Sequence, residues 1–294
     1  MNPALIELKQ NQPGFGGFIG SWLIAGRENL VVDVGPSCSI DQLIRSLTAL
    51  GVDRVDRVLL THIHIDHAGG LALFLERFPM ARVICHQKAV SHLAEPSKLW
   101  AGARKTLGHD LTDAYGPIRP VKKEWLVPHT EAKSEGLQIV ETPGHAPHHL
   151  CFVVEGFLFA GEAVGIHFRL GDSDYLRPAT PPVFFMKDYL KSIDRLLSLE
   201  DMPVCYAHFG LAESSHGVLR RQRNQLPLWE TIIKEQISKG EAGLIDRCLD
   251  ALLGTDPELR GFRTLGKEAQ ERERFFMRNC VEGYLGFLST PSAL

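Results

Sequence analysis

The 294-residue chain has six cysteines, Cys38, Cys85, Cys151, Cys205, Cys248 and Cys280, and no two of them are close in sequence. Zinc ribbons and CxxC redox motifs need closely spaced pairs, so both are excluded, and the thiols are expected to serve as small buried hydrophobes. No uninterrupted apolar run reaches the about 18 residues of a membrane helix. Residues 1–18 carry Glu7 and Lys9 among glycines and prolines, without the basic-then-apolar order of a secretory leader. A cytoplasmic setting is expected on both counts. An excess of one charge is also missing: 32 Lys and Arg stand against 35 Asp and Glu. Neither nucleic acid nor an anionic membrane is therefore an expected partner. There is no internal repeat and no low-complexity segment.

What is present suits a globular chain, with 44% hydrophobic and 23% charged residues. The pattern predicts one large domain over residues 1–212 and a helical extension over 213–294. "SWLIAG" and "NLVVDVG" read as a hairpin, and Ser39 is a plausible N-cap for a helix through Leu50, with Leu43, Leu47 and Leu50 on one face. "RVDRVLL" reads as a buried strand, "GGLALFLERF" as a helix and "ARVICH" as a strand. "LQIVET", "HLCFVVEG", "FLFAGE" and "MPVCYAHFG" are further strands. Beyond Glu213 only helical patterns occur.

The segment "LLTHIHIDHAGG" places His62, His64, Asp66 and His67 directly after an apolar strand. Imidazole and carboxylate donors suit zinc, iron or manganese, and so dense a cluster is hard to bury without a metal. Other strands end on similar groups: His145 follows "LQIVET", Glu162 ends "FLFAGE", and His208 ends "MPVCYAH". Several strand ends delivering ligands to one sheet edge make a coherent metal site. His148 and His149 are candidates for supporting it or touching substrate.

These residues resemble the metallo-β-lactamase superfamily, in particular its glyoxalase II-like branch. His62, His64, Asp66 and His67 match the motif H-x-H-x-D-H, His145 and His208 match its later single-histidine motifs, and Asp33 in "VVDVG" takes the place of its buried aspartate. The resemblance covers roughly residues 16–210. It implies an α+β fold, a four-layer αβ/βα sandwich with the site on one edge. It also implies two divalent metal ions, with His62, His64 and His145 around the first and Asp66, His67 and His208 around the second. Asp66 would in addition be catalytic, hydrogen-bonding near the leaving atom. Where the family has a bridging aspartate this chain has Glu162, so a dinuclear site is expected with Glu162 either bridging or binding one metal.

Such a site activates water for attack on an acyl or phosphoryl centre. The expected activity is hydrolysis of a small thioester, lactone or related ester. The alternatives are a mononuclear iron oxidoreductase of the persulfide dioxygenase type and a phosphodiesterase like ribonuclease Z. Leu99, Ala103, Leu107, Leu111 and Tyr115 recur at i, i+4, which predicts an amphipathic helix that could act as a lid. "HFRLGDSDYLRPATPPVFF" is expected to be a long loop shaping the site, with Phe168, Tyr175, Phe184 and Phe185 as candidate lining residues. Arg220, Arg221 and Arg223 are read as a solvated helix face. The expected partner is a small-molecule substrate, and a homo-oligomer stays open.

Overall fold

The computed structural model describes residues 2–290 apart from 134 and 172. In chain order its strands are β1 (Ala4–Glu7), β2 (Gly20–Ile24), β3 (Leu30–Val32), β4 (Arg57–Leu59), β5 (Arg82–Cys85), β6 (Leu126–Pro128), β7 (Leu137–Glu141), β8 (Leu150–Val154), β9 (Phe157–Gly161), β10 (Ile166–Leu170), β11 (Ser173–Arg177), β12 (Val204–Tyr206) and β13 (Leu211–Ala212). The helices are α1 (Ile40–Ala49), α2 (Ile65–Ala68), α3 (Leu71–Arg77), α4 (Val90–Ala94), α5 (Ser97–Tyr115), α6 (Met186–Leu197), α7 (Ser215–Ser238), α8 (Leu244–Thr255) and α9 (Lys267–Leu288).

Strands β1 to β6 form one sheet in sequence order, antiparallel up to β3 and parallel from β3 to β6. A second sheet runs β13-β12-β9-β8-β7. Alternation along each strand sorts side chains between two cores. Trp22, Ile24, Val32, Leu59 and Ile84 of the first sheet meet Phe152, Phe159 and Cys205 of the second. Leu23, Val31, Val58 and Val83 point the other way and belong to a cluster with Leu43 and Leu47 of α1 and Phe74 of α3. On the far side, Leu158, Val204 and Tyr206 share that cluster with Ile193 of α6 and Leu219 of α7. Burial on both faces explains why these strands read as continuous apolar runs. The layers are helix, sheet, sheet, helix, the αβ/βα sandwich the resemblance implied.

Several local expectations change. The segment expected to be a long loop contains an antiparallel hairpin, β10 and β11, in which Phe168 pairs with Tyr175; residue 172 lies outside the described residues. Phe168 and Tyr175 are buried because strand alternation turns them inward, and Phe184, ahead of α6, is buried against Tyr284 and Phe287 of α9. Ser39 stands at the N-cap of α1, yet its hydroxyl bonds the Lys9 carbonyl at 3.2 Å instead of capping the helix. The amphipathic helix α5 is interrupted at Gly108, with φ +79°. Strands β1 and β6 lie in stretches that showed no strand signal.

Candidate metal centre

The site is built from strand ends. β3 and β4 are parallel neighbours, so Asp33, just past β3, lies beside the chain leaving β4. The carboxylate of Asp33, 2% exposed, accepts the Thr61 N–H at 2.8 Å, the Thr61 hydroxyl at 2.7 Å and His67 Nδ1 at 2.9 Å. With its proton given to Asp33, the Thr61 hydroxyl is left to accept from His62 Nδ1 at 3.1 Å. Asp33 thereby ties both ends of the histidine loop, and Nε2 of His62 and His67 is left free of those bonds. The two glycines that close the motif are steric: a Cβ on Gly70 would sit 2.2 Å from the Ile40 side chain, and one on Gly69 would sit 2.3 Å from the Ile65 carbonyl.

The remaining histidines are oriented in the same way. His145 Nδ1 donates to the Ala179 carbonyl at 2.9 Å and His208 Nδ1 to the Phe18 carbonyl at 3.0 Å. Fixing the outer nitrogen selects the tautomer whose inner nitrogen is a lone-pair donor. Glu162 follows β9 through Gly161, whose φ of +52° and close approach to His149 Nε2 leave no room for a Cβ. Its backbone N–H donates to His149 Nε2 at 3.2 Å, while His149 Nδ1 meets Thr142 Oγ1 at 2.8 Å. The Tyr189 hydroxyl donates to its carbonyl at 2.5 Å.

All seven residues singled out in the sequence come together, in two groups: His62, His64, His145 and Glu162, and Asp66, His67 and His208. His64 Nδ1 lies 2.9 Å from both His62 Nε2 and His145 Nε2. His67 Nε2 and His208 Nε2 are 3.3 Å apart, with Asp66 Oδ2 3.7 Å from the former and 3.5 Å from the latter. Glu162 Oε2 stands 2.8 Å from His145, 3.2 Å from His62 and 3.5 Å from His67, and thus between the groups.

The electrostatics suit a cation. Burial, then His67 and His64, holds His62 well below the ordinary imidazole value, and burial followed by His145 brings His64 down to about 4. Both are therefore neutral at physiological pH, the form in which an imidazole can bind a metal. Burial pushes the Asp66 carboxyl up, but His67 and His208 outweigh it and bring it to about 2. Glu162 is likewise held well below its usual range, burial being overcome by His145 and its other histidine neighbours. For His67, burial is overcome by Asp66, Asp33 and Glu162, which raise it. Buried carboxylates that draw a proton onto a neighbouring imidazole call for positive charge, which a divalent cation supplies. The donor set of imidazole nitrogens and carboxylate oxygens fits zinc, iron or manganese.

Of the supporting candidates, His149 fixes the Glu162 backbone, whereas His148 lines the cavity beside the site and burial, then His64, takes it to about 3. Two arginines expected on a solvated helix face are paired: Arg221 with Asp174 and Glu258, Arg223 with Asp194. A third cluster, His86, His129 and Glu141, also has its polar atoms close together. There, backbone N–H groups of Lys88 and Gln87 donate to Nδ1 of His86 and His129. The ring proton then sits on Nε2, so these nitrogens face Glu141 as donors and the cluster is a hydrogen-bonded strut rather than a ligand set.

The site opens into a cavity of about 620 Å³. Leu99, Ala103 and Leu107 of α5, Phe185 and Phe276 give it apolar walls. Arg177 also lines it, while Thr61, Thr142 and Tyr189 support the site through hydrogen bonds to His62, His149 and the Glu162 carbonyl; none of the four was singled out in the sequence. Thr61 adjoins the first ligand, which was a usable signal; the others acquire their roles only through tertiary contact.

The profile described as Metallo-beta-lactamase superfamily matches residues 15–208. The metallo-beta-lactamase fold-containing protein ST1585 of Sulfurisphaera tokodaii is 31% identical over 199 residues, 65% of this chain and 69% of its own. The crystal structure of ST1585 superposes with a TM-score of 0.65 at 26% identity, covering 90% of this chain and 98% of that one. An atrochrysone carboxyl ACP thioesterase of Aspergillus fumigatus is 25% identical over 82% of this chain and 70% of its own. A hydroxyacylglutathione hydrolase of Aeromonas hydrophila is 28% identical over 49% of this chain and 45% of its own. With the histidine motif, the strand-end ligands and the sandwich in place, the chain belongs to the metallo-beta-lactamase superfamily and is a metallo-hydrolase of that fold.

Proposed function

We propose that the protein hydrolyses a small thioester, lactone or related ester at a dinuclear metal centre, with zinc the first choice and iron or manganese as alternatives. One observation carries this reading: two convergent ligand groups, with Glu162 between them, open into an apolar cavity walled by α5 and α9. His62, His64 and His145 would hold the first ion, Asp66, His67 and His208 the second, and Glu162 would reach both. When bound, a metal pair of this kind lowers the pKa of water towards neutrality and polarises a carbonyl. Asp66, ionised down to about pH 2, accepts and orients a proton near the attacked carbon. Ile63, Ile65 and Phe18 line the cavity alongside the polar residues and keep bulk water away. Relatives named as a thioesterase and a hydroxyacylglutathione hydrolase support acyl-thiol esters as the class to try first. The missing basic track and the pairing of Arg221 and Arg223 speak against a phosphodiester polymer, and a cytoplasmic setting belongs to the same reading.

The test runs thioesters, lactones, phosphodiesters and glutathione persulfide in parallel on wild type, His62→Ala and Asp66→Ala. Acyl hydrolysis abolished by chelator and by both substitutions is expected. Oxygen uptake with the persulfide and no acyl cleavage would replace this reading with an oxidoreductase; phosphodiester cleavage alone would replace it with a nuclease.

A further inference from the structure

Three buried charges meet at the cavity wall, one of them in the lining itself. Arg177, at the end of β11, is 3% exposed, Arg272 of α9 is 5% exposed and Glu273 is 0% exposed. Glu273 accepts Arg177 Nε at 2.5 Å, Arg272 Nε at 2.9 Å and the Tyr175 hydroxyl at 3.0 Å. Two guanidinium groups thus share one carboxylate, and the cluster carries a surplus positive charge. Buried charge without a full counter-ion is costly. For Arg272 the cost is offset by aromatic faces: its guanidinium lies 4.2 Å from the Phe18 ring centroid and 4.9 Å from that of Phe168. It also donates to the Gly14 carbonyl.

Arg177 is arranged differently. Besides Glu273 it donates through Nη1 to the Pro178 carbonyl at 3.3 Å and approaches Cys280 Sγ at 3.8 Å. Nη2 takes part in none of these bonds. The side chain lines the same cavity as His64, Asp66, His145 and Glu162, with Phe276, another lining residue, 5.5 Å beneath its guanidinium. Arg177 is also near the ligands along the backbone: it pairs across the hairpin with Ile166, four residues past Glu162, and Ala179, two residues on, holds His145.

We propose that Arg177 is a specificity residue that binds a carboxylate carried on the acyl part of the substrate. This rests on the ester-hydrolase reading above. The substrate class is then a mono-ester or mono-thioester of a dicarboxylic acid, its ester carbonyl at the metal centre and its free carboxylate at Arg177. Being planar and always charged, a guanidinium held against Phe276 by its bonds to Glu273 and Pro178 offers its Nη2 as a fixed, charge-assisted donor to such a group. Because Arg177 is buried, the interaction is screened little by salt.

The test compares the metal-loaded enzyme on thiophenyl hexanoate with the mono-thiophenyl esters of succinate, adipate and suberate. At the best chain length wild type is expected to favour the anionic ester by at least about tenfold in kcat/KM, the scale of one charge-assisted hydrogen bond. Arg177→Met should bring that ratio to about one by cutting the rate on the anionic esters far more than the rate on hexanoate. It also removes the surplus charge, leaving Arg272 and Glu273 balanced. Arg177→Lys, which keeps the charge and folds in its place if the Met variant does not, should retain only part of the preference. Equal rates for all four esters in wild type, or an equal loss on all four in the variants, would overturn the assignment. Calorimetric binding of adipate against hexanoate separates the two proposals. If no ester is cleaved while adipate binds more tightly than hexanoate in wild type and not in Arg177→Met, the hydrolase reading falls and the Arg177 assignment stands.

Discussion

Glu162 concentrates the chemistry at the residue scale. Its Oε2 lies within 3.5 Å of His62, His67 and His145, and its backbone is pinned by His149 and Tyr189. A carboxylate held there shares its charge between both ligand groups, and the longer side chain, in place of the family's aspartate, still reaches both. Glu162→Gln keeps the shape and removes the charge. Metal content should fall towards one equivalent, and kcat should fall by more than the roughly 10- to 100-fold lost when a residue behind the ligands is changed. Glu162→Asp should be milder. Full metal content and rate in the Gln variant, by elemental analysis and steady-state kinetics, would remove Glu162 from the centre. The seven polar residues of the two groups could be picked out in the sequence because donor-type side chains at strand ends stand out against apolar strands. Thr142 and Arg177 could not, since a threonine after "LQIVE" and an arginine before a proline look ordinary until β8 and α9 are brought against them.

Among the elements, α5 shows how far periodicity reaches. Its apolar spacing was readable, and Leu99, Ala103 and Leu107 do line the cavity. The break at Gly108 was not, because an isolated glycine inside a helical pattern is ordinarily tolerated. The positive φ there divides a cavity-facing stretch from an anchored one, in which Thr112 and Tyr115 are buried. A Cβ at Gly108 would meet nothing within 4 Å, so Gly108→Ala acts on backbone conformation alone. It should cost about 1 to 3 kcal/mol, because φ +79° with ψ 170° is a backbone conformation essentially reserved for glycine, or straighten α5 and shift its lining residues. Denaturant unfolding reads the first and a changed KM the second; unaltered stability and KM would mean that the kink has no part in holding α5 over the site. The β10–β11 hairpin was missed for a related reason. "HFRL" and "SDYLR" alternate, but the glycine and prolines around them outweighed so short a signal, and only the pairing of Phe168 with Tyr175 decides it.

For the whole molecule, the metal centre joins parts distant in sequence. Asp33 lies past β3, the histidine loop past β4, His145 past β7, Glu162 past β9 and His208 past β12, and α9 reaches the hairpin through Glu273 and Arg177. The architecture was readable from the motif because strand ends with metal donors have to meet at one edge, whereas the clasp between α9 and β11 rests on charges that resemble any helix surface. Ions bound at such a junction stabilise the native state by linkage, about 2.7 kcal/mol at a hundredfold excess over Kd. Removing them with chelator should therefore lower the melting temperature, and the size of that drop should depend on pH. His64, brought to about 4 by burial and then His145, stays neutral in the folded chain while the unfolded chain takes up its proton near the ordinary imidazole value. The folded state consequently loses stability as pH falls from about 6.5 towards 4. His67 has the opposite sign: its raised value gives stability that is fully present below about 6.5 and is lost as pH rises through its folded pKa. Protons also compete with metal for the imidazoles. Scanning calorimetry of loaded and chelator-treated protein from pH 8 to pH 4.5 should show the gap between them shrinking on acidification as the ions are displaced. A gap that stays constant across this range would mean that the bound ions do not depend on these histidines.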